Sequence, residues 1–235
     1  MKLRILILLC SMSFALMASA QASGGQIRRP GKKQSISNSR RSVTPSNSVP
    51  KLSCPDGNHP HMIDLGLPSG TKWACCNLGA STPEQSGNYY RWGETKPFKE
   101  GDTGATYPYM DVDIGNNIAG TKYDAATAKW GSSWRMPTEN QMMELKDNCT
   151  YKWTTLNGVK GAKVTGRKGG TIFFPASGCG DYFSGSLCNV GSDGNYWSAS
   201  PNSSNGGHRL HFNSSYWAWD NSNRAYGFPV RPVAK

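Results

Sequence analysis

No Gly-x-Ser-x-Gly elbow, no phosphate-cradling glycine loop and no His-Glu-x-x-His motif occurs in the chain. Those absences remove the common signatures of serine hydrolases, nucleotide-binding enzymes and zinc peptidases. Histidine is scarce, with 4 in 235 residues. His59 and His61 have no obvious third ligand nearby. His208 and His211, three apart in a strand-like run, project to opposite faces and do not chelate one ion easily. No Cys-x-x-Cys pair is present, which argues against a structural zinc site. Asp111-Val-Asp113 opens like a calcium loop, yet its twelfth position is Lys122 rather than glutamate. These gaps lead us to expect no metal, no cofactor and no catalytic residues.

Acidic residues are absent before position 54, and apolar ones are rare between 21 and 53. Residues 1–20 have the layout of a secretory signal: Lys2 and Arg4, an apolar run from Ile5 to Met17, and Ala18-Ser-Ala20 for cleavage. The run is too short and wrongly flanked for a membrane anchor, so no transmembrane span is expected. Residues 21–53 carry Arg28, Arg29, Lys32, Lys33, Arg40, Arg41 and Lys51 among Ser, Asn, Gly and Pro. Such a segment buries too little apolar surface to offset its ordering entropy, and it reads as a disordered basic linker. It suits attraction to an anionic cell-surface polymer. Nucleic acid is not the expected partner, because no aromatic residues interleave with the cations. The formal net charge of +11 is therefore a property of the leader and linker, since the remainder is close to balanced.

What is present begins at Cys54, where composition changes to that of one domain, 54–235, rich in tryptophan and glycine. Met62–Leu65 and Lys72–Cys76 read as strands around a Leu-Pro-Ser-Gly turn. Ser81-Thr-Pro-Glu84 has helix-start chemistry, Tyr89–Trp92 looks extended, and 95–121 is the longest loop. Asp124 caps a short helix that Gly131 stops. Thr138-Glu-Asn-Gln141 is a capping box, followed by Met142, Leu145 and Cys149 on one helical face. Asn157-Gly158 joins two strand-like runs as a hairpin, and Thr171–Phe174 adds a strand. The fold class is α+β, mostly short antiparallel strands and loops with two or three short helices.

Six cysteines follow the signal: Cys54, Cys75, Cys76, Cys149, Cys179 and Cys188. An even count in an exported chain predicts disulfides, with fifteen possible pairings. Cys75 and Cys76, adjacent in a strand, are expected on opposite faces with different partners. Cys149 is a plausible partner for either, and Cys179 with Cys188 closes a short loop.

The last forty residues organise the rest. Tyr196-Trp197, Leu210-His-Phe212 and Phe228–Val233 are apolar anchors separated by Asn/Ser/Gly connections, read together as a small antiparallel sheet. Alternation puts Leu210, Phe212, Trp217 and Trp219 inward and Arg209 and His211 outward. The candidate ligand-facing residues are Arg209, His211, Tyr216, Asp220, Asn221, Asn223 and Tyr226. Tyr, Ser, Asn and Gly are the residues of which adaptable binding surfaces are made.

The run Tyr-Trp-Ser-Ala-Ser, then Leu-x-Phe-Asn-Ser-Ser, then Asn-Arg-x-x-Gly-Phe-x-Val-Arg-Pro-Val resembles the close of the Fibrobacter succinogenes major paralogous domain. Asp64-Leu-Gly-Leu-Pro-Ser-Gly-Thr-Lys-Trp-Ala74, Asn77-Leu-Gly-Ala80, Trp92-Gly-Glu94 and Trp130-Gly-Ser-Ser-Trp-Arg-Met-Pro137 extend the resemblance over roughly residues 60 to 233. It implies a C-type lectin-like fold of the formylglycine-generating-enzyme subclass. The tail also resembles the variable proteins of diversity-generating retroelements, mutated at adenines. Residues 169–234 contain no Lys, Glu, Gln or Met, which adenine mutagenesis of an Asn codon cannot produce. The expected function is an exported cell-surface, secreted or periplasmic module that binds a glycan or protein. The alternatives are a structural or fimbrial assembly subunit, and a cysteine- or metal-dependent enzyme on the formylglycine-generating fold.

Overall fold

The computed structural model describes residues 62–234. The predicted signal, the basic linker, Cys54, His59 and His61 lie outside the described residues. Two α-helices and five small antiparallel sheets make up the described chain, as the α+β reading anticipates at that level. Strands β1 (Met62–Asp64) and β2 (Lys72–Ala74) pair antiparallel across a turn closed by the Gly70 amide on the Leu67 carbonyl, 2.9 Å. The segment after Ser81 makes a single turn rather than a helix. Its helix-start residues are followed by Gly87 at φ +67, not by an apolar face that a helix could bury. Strand β3 (Tyr89–Tyr90) precedes a long loop that contains one 3-10 turn, Gly104–Thr106.

Helix α1 (Ala125–Trp130) starts where Asp124 accepts hydrogen bonds from the Ala126 and Thr127 amides. Strand β4 (Trp134–Arg135) and helix α2 (Glu139–Asn148) follow, and Thr138 and Gln141 form the predicted capping box. Met142 and Leu145 face the core. Strands β5 (Cys149–Leu156), β6 (Val159–Gly166) and β7 (Thr171–Pro175) form a meander. Asn157 and Gly158 both take positive φ, +47 and +83, giving the two-residue turn that suits a twisted hairpin.

Strands β8 (Cys179–Gly180) and β9 (Leu187–Cys188) pair as a small finger. Strands β10 (Gly194–Pro201), β11 (Gly206–Phe212) and β12 (Trp217–Asn223) form a three-stranded sheet. The closing anchor leaves that sheet, contrary to expectation. β13 (Phe228–Pro229) pairs with β3, and β14 (Val233–Ala234) lies between β2 and β4. The two prolines in the anchor remove donors that a longer ladder would need.

Sheet β10–β12 separates two apolar clusters. Tyr196, Leu210 and Phe212 join Trp73, Met142, Leu145, Val164 and Phe174 on one side. Trp197 joins Trp92, Met136, Phe228 and Val230 on the other. Gly194, opposite Phe212, has no room for a side chain, since a Cβ there would fall 2.0 Å from the ring.

Several polar groups inside this core are paired, although the Trp73 indole nitrogen is buried without a hydrogen-bond partner. The Tyr196 hydroxyl donates to the Pro175 carbonyl at 2.7 Å and accepts from Asn77 Nδ2 at 3.1 Å, and burial pushes its pKa up to about 12. The Trp197 and Trp92 indoles donate to the Tyr90 and Ser198 carbonyls. Arg231, fully buried, donates to Asn77 Oδ1 and to the carbonyls of Ala74, Cys75 and Phe173, tying the end of β2 to β7. Arg224 donates to the Gly206, Val112 and Ser203 carbonyls, pinning the long loop to the β10–β11 turn.

Candidate functional site

Alternation along β10–β12 decides which side chains meet on the outer face. Cross-strand partners share a face, and the register pairs Asn195 with His211 and Arg209 with Asp220. Arg209 therefore reaches both neighbours: Nη1 donates to Asn195 Oδ1 at 2.6 Å, and Nη2 to Asp220 Oδ2 at 2.8 Å. His211 sits between two carboxylates, 3.6 Å from Asp193 Oδ1 and 3.7 Å from Asp220 Oδ2. The Tyr216 hydroxyl lies 3.0 Å from the His211 ring nitrogens.

This face is less displayed than the sequence implies. Trp197 shares it and is fully buried beneath Phe228, while the Arg209 guanidinium lies 5.4 Å from the Phe228 ring. Arg209 and His211 side chains are consequently only 16% and 18% exposed. The cause is the Tyr226–Phe228 segment and the finger, which fold back over β10 and β11. Tyr226 stacks on Phe228 at 5.7 Å and meets Tyr182 of the finger edge-on at 4.7 Å. The Gly180 and Gly227 backbones bond to each other at 2.7 and 2.9 Å.

Between these covers lies a cleft of about 310 Å³, lined by Asp181, Asp193, Asn195, Arg209, His211, Ser222 and Tyr226 beside the finger. Arg209, His211, Tyr226 and, through its bond to Arg209 and its approach to His211, Asp220 meet there as the sequence suggested. Tyr216, 41% exposed, stands at the edge against His211. Asn221 and Asn223 do not join them. Each is one residue out of step with Asp220 and Ser222 and so projects to the Trp217–Trp219 face. There Asn221 is opposite His208, and Asn223 Oδ1 accepts from the Ala225 amide at 2.9 Å.

Leu210 and Phe212 are fully buried as anticipated, but Trp217 and Trp219 are only half-buried. Trp217 packs against Tyr151 at the edge of the core. The Trp219 indole donates to Glu139 Oε1 at 3.2 Å and stacks on His208 at 4.9 Å. β12 is an edge strand, so its inward side chains have a neighbouring strand on one side only.

Sequence reasoning missed Asp193, Asn195, Ser222 and Asp181. Asn195 had a usable signal, since it alternates with the core residue Tyr196. Asp181 and Asp193 had none, because a loop places them.

The cysteines divide. Cys179 and Cys188 form the disulfide that closes the finger, with Cα atoms 5.2 Å apart. Cys75 and Cys76 lie beyond the end of β2, so strand alternation does not separate them. Both are buried, and their sulfurs are 3.5 Å apart. Cys149 caps the C-terminus of α2 as an unpaired thiol rather than joining either of them. Burial pushes its pKa up to about 11, which suppresses the thiolate.

Electrostatically the cleft is poised around His211. Burial lowers its pKa first and the Arg209 charge adds to that, outweighing Asp193 and Asp220. Burial alone would raise the Asp220 carboxyl, but Arg209, the Asn221 amide and His211 together hold it below the ordinary value. Such a cleft offers fixed donors, acceptors and aromatic faces. A larger groove of about 510 Å³ beside Ile63, Cys75, Pro83, Leu156 and Phe173 has Lys163 as its one charged lining residue and includes none of the candidate ligand-facing residues. Among the described residues no group of three or more His, Cys, Asp or Glu could hold a metal, and no helix is long and apolar enough to cross a membrane.

A family model described as a domain of unknown function, DUF8237, matches residues 153–233. That span runs from within β5 to the start of β14 and takes in the finger, the cleft and the whole β10–β12 sheet. No curated protein and no solved structure matches the chain.

Proposed function

We propose that the chain is a non-catalytic ligand-binding module, exported to the cell surface, the periplasm or the medium, that recognises a glycan or a protein through the cleft on the outer face of β10–β12. The carrying observation is the convergence of Arg209, His211, Asp193, Asn195 and Tyr226 around one open hollow. Arg209, His211 and Asn195 supply directional hydrogen bonds from strands whose other face is locked in the core, and the flanking segments add the Asp193 carboxylate and the Tyr226 ring, an arrangement suited to recognition. Small antiparallel sheets, two short helices and a shared sheet for the first and last described strands support a C-type lectin-like fold and kinship with the Fibrobacter paralogous domain. The basic segment 21–53 then serves as a tether to anionic surface polymers.

The test is binding of the full chain to glycan and protein arrays. Signal on one or more array members is expected, and His211→Ala or Tyr216→Ala should reduce it while the melting temperature stays near that of wild type. Binding that ignores both substitutions places the site elsewhere.

A further inference from the structure

The disulfide-closed finger beside the cleft exposes large apolar side chains among its serines. Phe183 is 73% exposed and Leu187 54%, and Val190, two residues beyond Cys188, is 58% exposed; these are three of the seven large hydrophobic side chains exposed among the described residues. Isolated exposed apolar residues are ordinary, whereas several within eight consecutive residues, on and just after one short element, mark a contact surface. The finger is also rigid. The Cys179–Cys188 bond closes it, and Asp181 accepts from the Phe183 and Ser184 amides and the Ser184 hydroxyl. The Gly101 and Gly104 amides donate to the Gly185 and Tyr182 carbonyls, backing it with the long loop. Displaying apolar groups on a braced element removes ordering cost from association.

From this geometry we infer that the finger is a protein-docking element, and that its partner presents an aromatic or branched aliphatic side chain next to a lysine or arginine. The inference rests on the ligand-binding reading and chooses protein over glycan within it. The cation follows from the charges in the hollows on either side of the finger. Asp181 and Asp193 line the cleft, and Glu100 lines a second hollow with Phe98 and Leu187. The one arginine of the cleft, Arg209, is already paired with Asp220. An anionic membrane is a poor match, since these carboxylates would be driven against like charge. Leu187 and Val190, aliphatic and exposed, suit a protein side chain better than a sugar ring, which stacks on aromatic faces.

The experiment selects random linear peptides displayed on phage against the full chain folded under oxidising conditions. Enriched peptides should pair an apolar residue with Arg or Lys. A synthetic copy should bind the Phe183→Ser/Leu187→Ser variant about tenfold or more weakly, the loss of one contact hot spot. Both side chains are largely in solvent, so the variant should melt like wild type. Asp193→Asn should weaken the same peptide, and replacing the peptide's cation by Gln should abolish that difference. No enrichment, enrichment without a cation, or equal binding to the finger variant overturns the inference. So does finger-dependent binding to phosphatidylserine vesicles, or a dimer in sedimentation that the finger variant splits. If the inference fails while array binding remains sensitive to His211→Ala, the cleft reading stands. If neither surface binds anything, both fall.

Discussion

The two faces of β11 are built from alternate residues of one strand, yet they obey different rules. Leu210 and Phe212 are fully enclosed, and Phe212 touches rings from Tyr151, Trp153, Phe174 and Tyr196. Arg209 and His211, one step away, are held by hydrogen bonds and ion contacts around a hollow. The inner face is stabilised by area removed from water, which tolerates no missing volume. The outer face depends on direction and charge, and water competes for each of its bonds. Alternation assigns a residue to a side of the sheet. How deeply that side is covered depends on segments far along the chain, here the finger and Tyr226–Phe228.

The largest break in this comparison should come from Phe212→Ala. Removing a ring from the centre of the inner cluster should cost about 3–5 kcal/mol, read as a shift in the denaturant midpoint. A cost below about 1 kcal/mol, within the range of surface substitutions, would mean that the inner face is not the core. Next is the cover of the outer face. Replacing both Cys179 and Cys188 by Ser opens a short loop and should cost about 2–3 kcal/mol. Because the finger carries one wall of the cleft, the same variant should lose array binding at temperatures where it remains folded. Retained binding would show that the finger does not shape the cleft.

Much of the framework could be read from local chemistry. The Asp124 cap, the Thr138–Gln141 capping box, the Asn157-Gly158 turn and the Cys179–Cys188 loop are short-range devices whose partners lie within a few residues. The failures are long-range. The route of Phe228–Val233 into two other sheets depends on pairing with Tyr89–Tyr90, Trp73 and Arg135, which nothing adjacent announces. In the site, alternation found Arg209, His211 and Asp220. Placing Asn221 and Asn223 beside Asp220 set that same alternation aside. Asp181, Asp193 and the depth of Arg209 needed the fold, because loops and a returning segment place them.

A smaller effect should distinguish the outer face by pH, through His211. His211 faces Arg209, Asp193, Asp220 and Tyr216, and its folded pKa lies below the ordinary 6.5, through burial first and Arg209 second. The unfolded chain therefore takes up the proton more readily. Its contribution to stability is complete above about pH 6.5 and declines as the solution is acidified towards the folded pKa. Asp220, lowered in the fold, adds its loss only near and below the ordinary carboxylate value of 3.8. NMR titration of the His211 ring should give a midpoint under 6.5, and His211→Ala should flatten the stability profile just below that pH. A midpoint above 6.5 would mean that Asp193 and Asp220 dominate the site, reversing the sign.

The smallest expected change in stability, and the sharpest for function, is at Tyr216. It is 41% exposed in the turn before β12, and its hydroxyl meets only the His211 ring. No apolar cluster depends on it, so Tyr216→Ala should alter stability by no more than about 0.5 kcal/mol, as surface replacements do. An exposed tyrosine at the mouth of a polar cleft is nonetheless well placed to anchor a ligand, since its ring adds contact area with few torsions to freeze. Tyr216→Phe separates the two contributions: it keeps the ring, with its edge-on contact to His211, and removes only the hydroxyl contact. If the ring is the anchor, binding survives in Tyr216→Phe and falls in Tyr216→Ala. If the hydroxyl acts by orienting His211, both variants lose binding and the His211 midpoint moves in both. If neither loses binding while His211→Ala does, the ligand enters past the finger rather than over β12. Tyr216 would then be a surface residue next to the site, outside it.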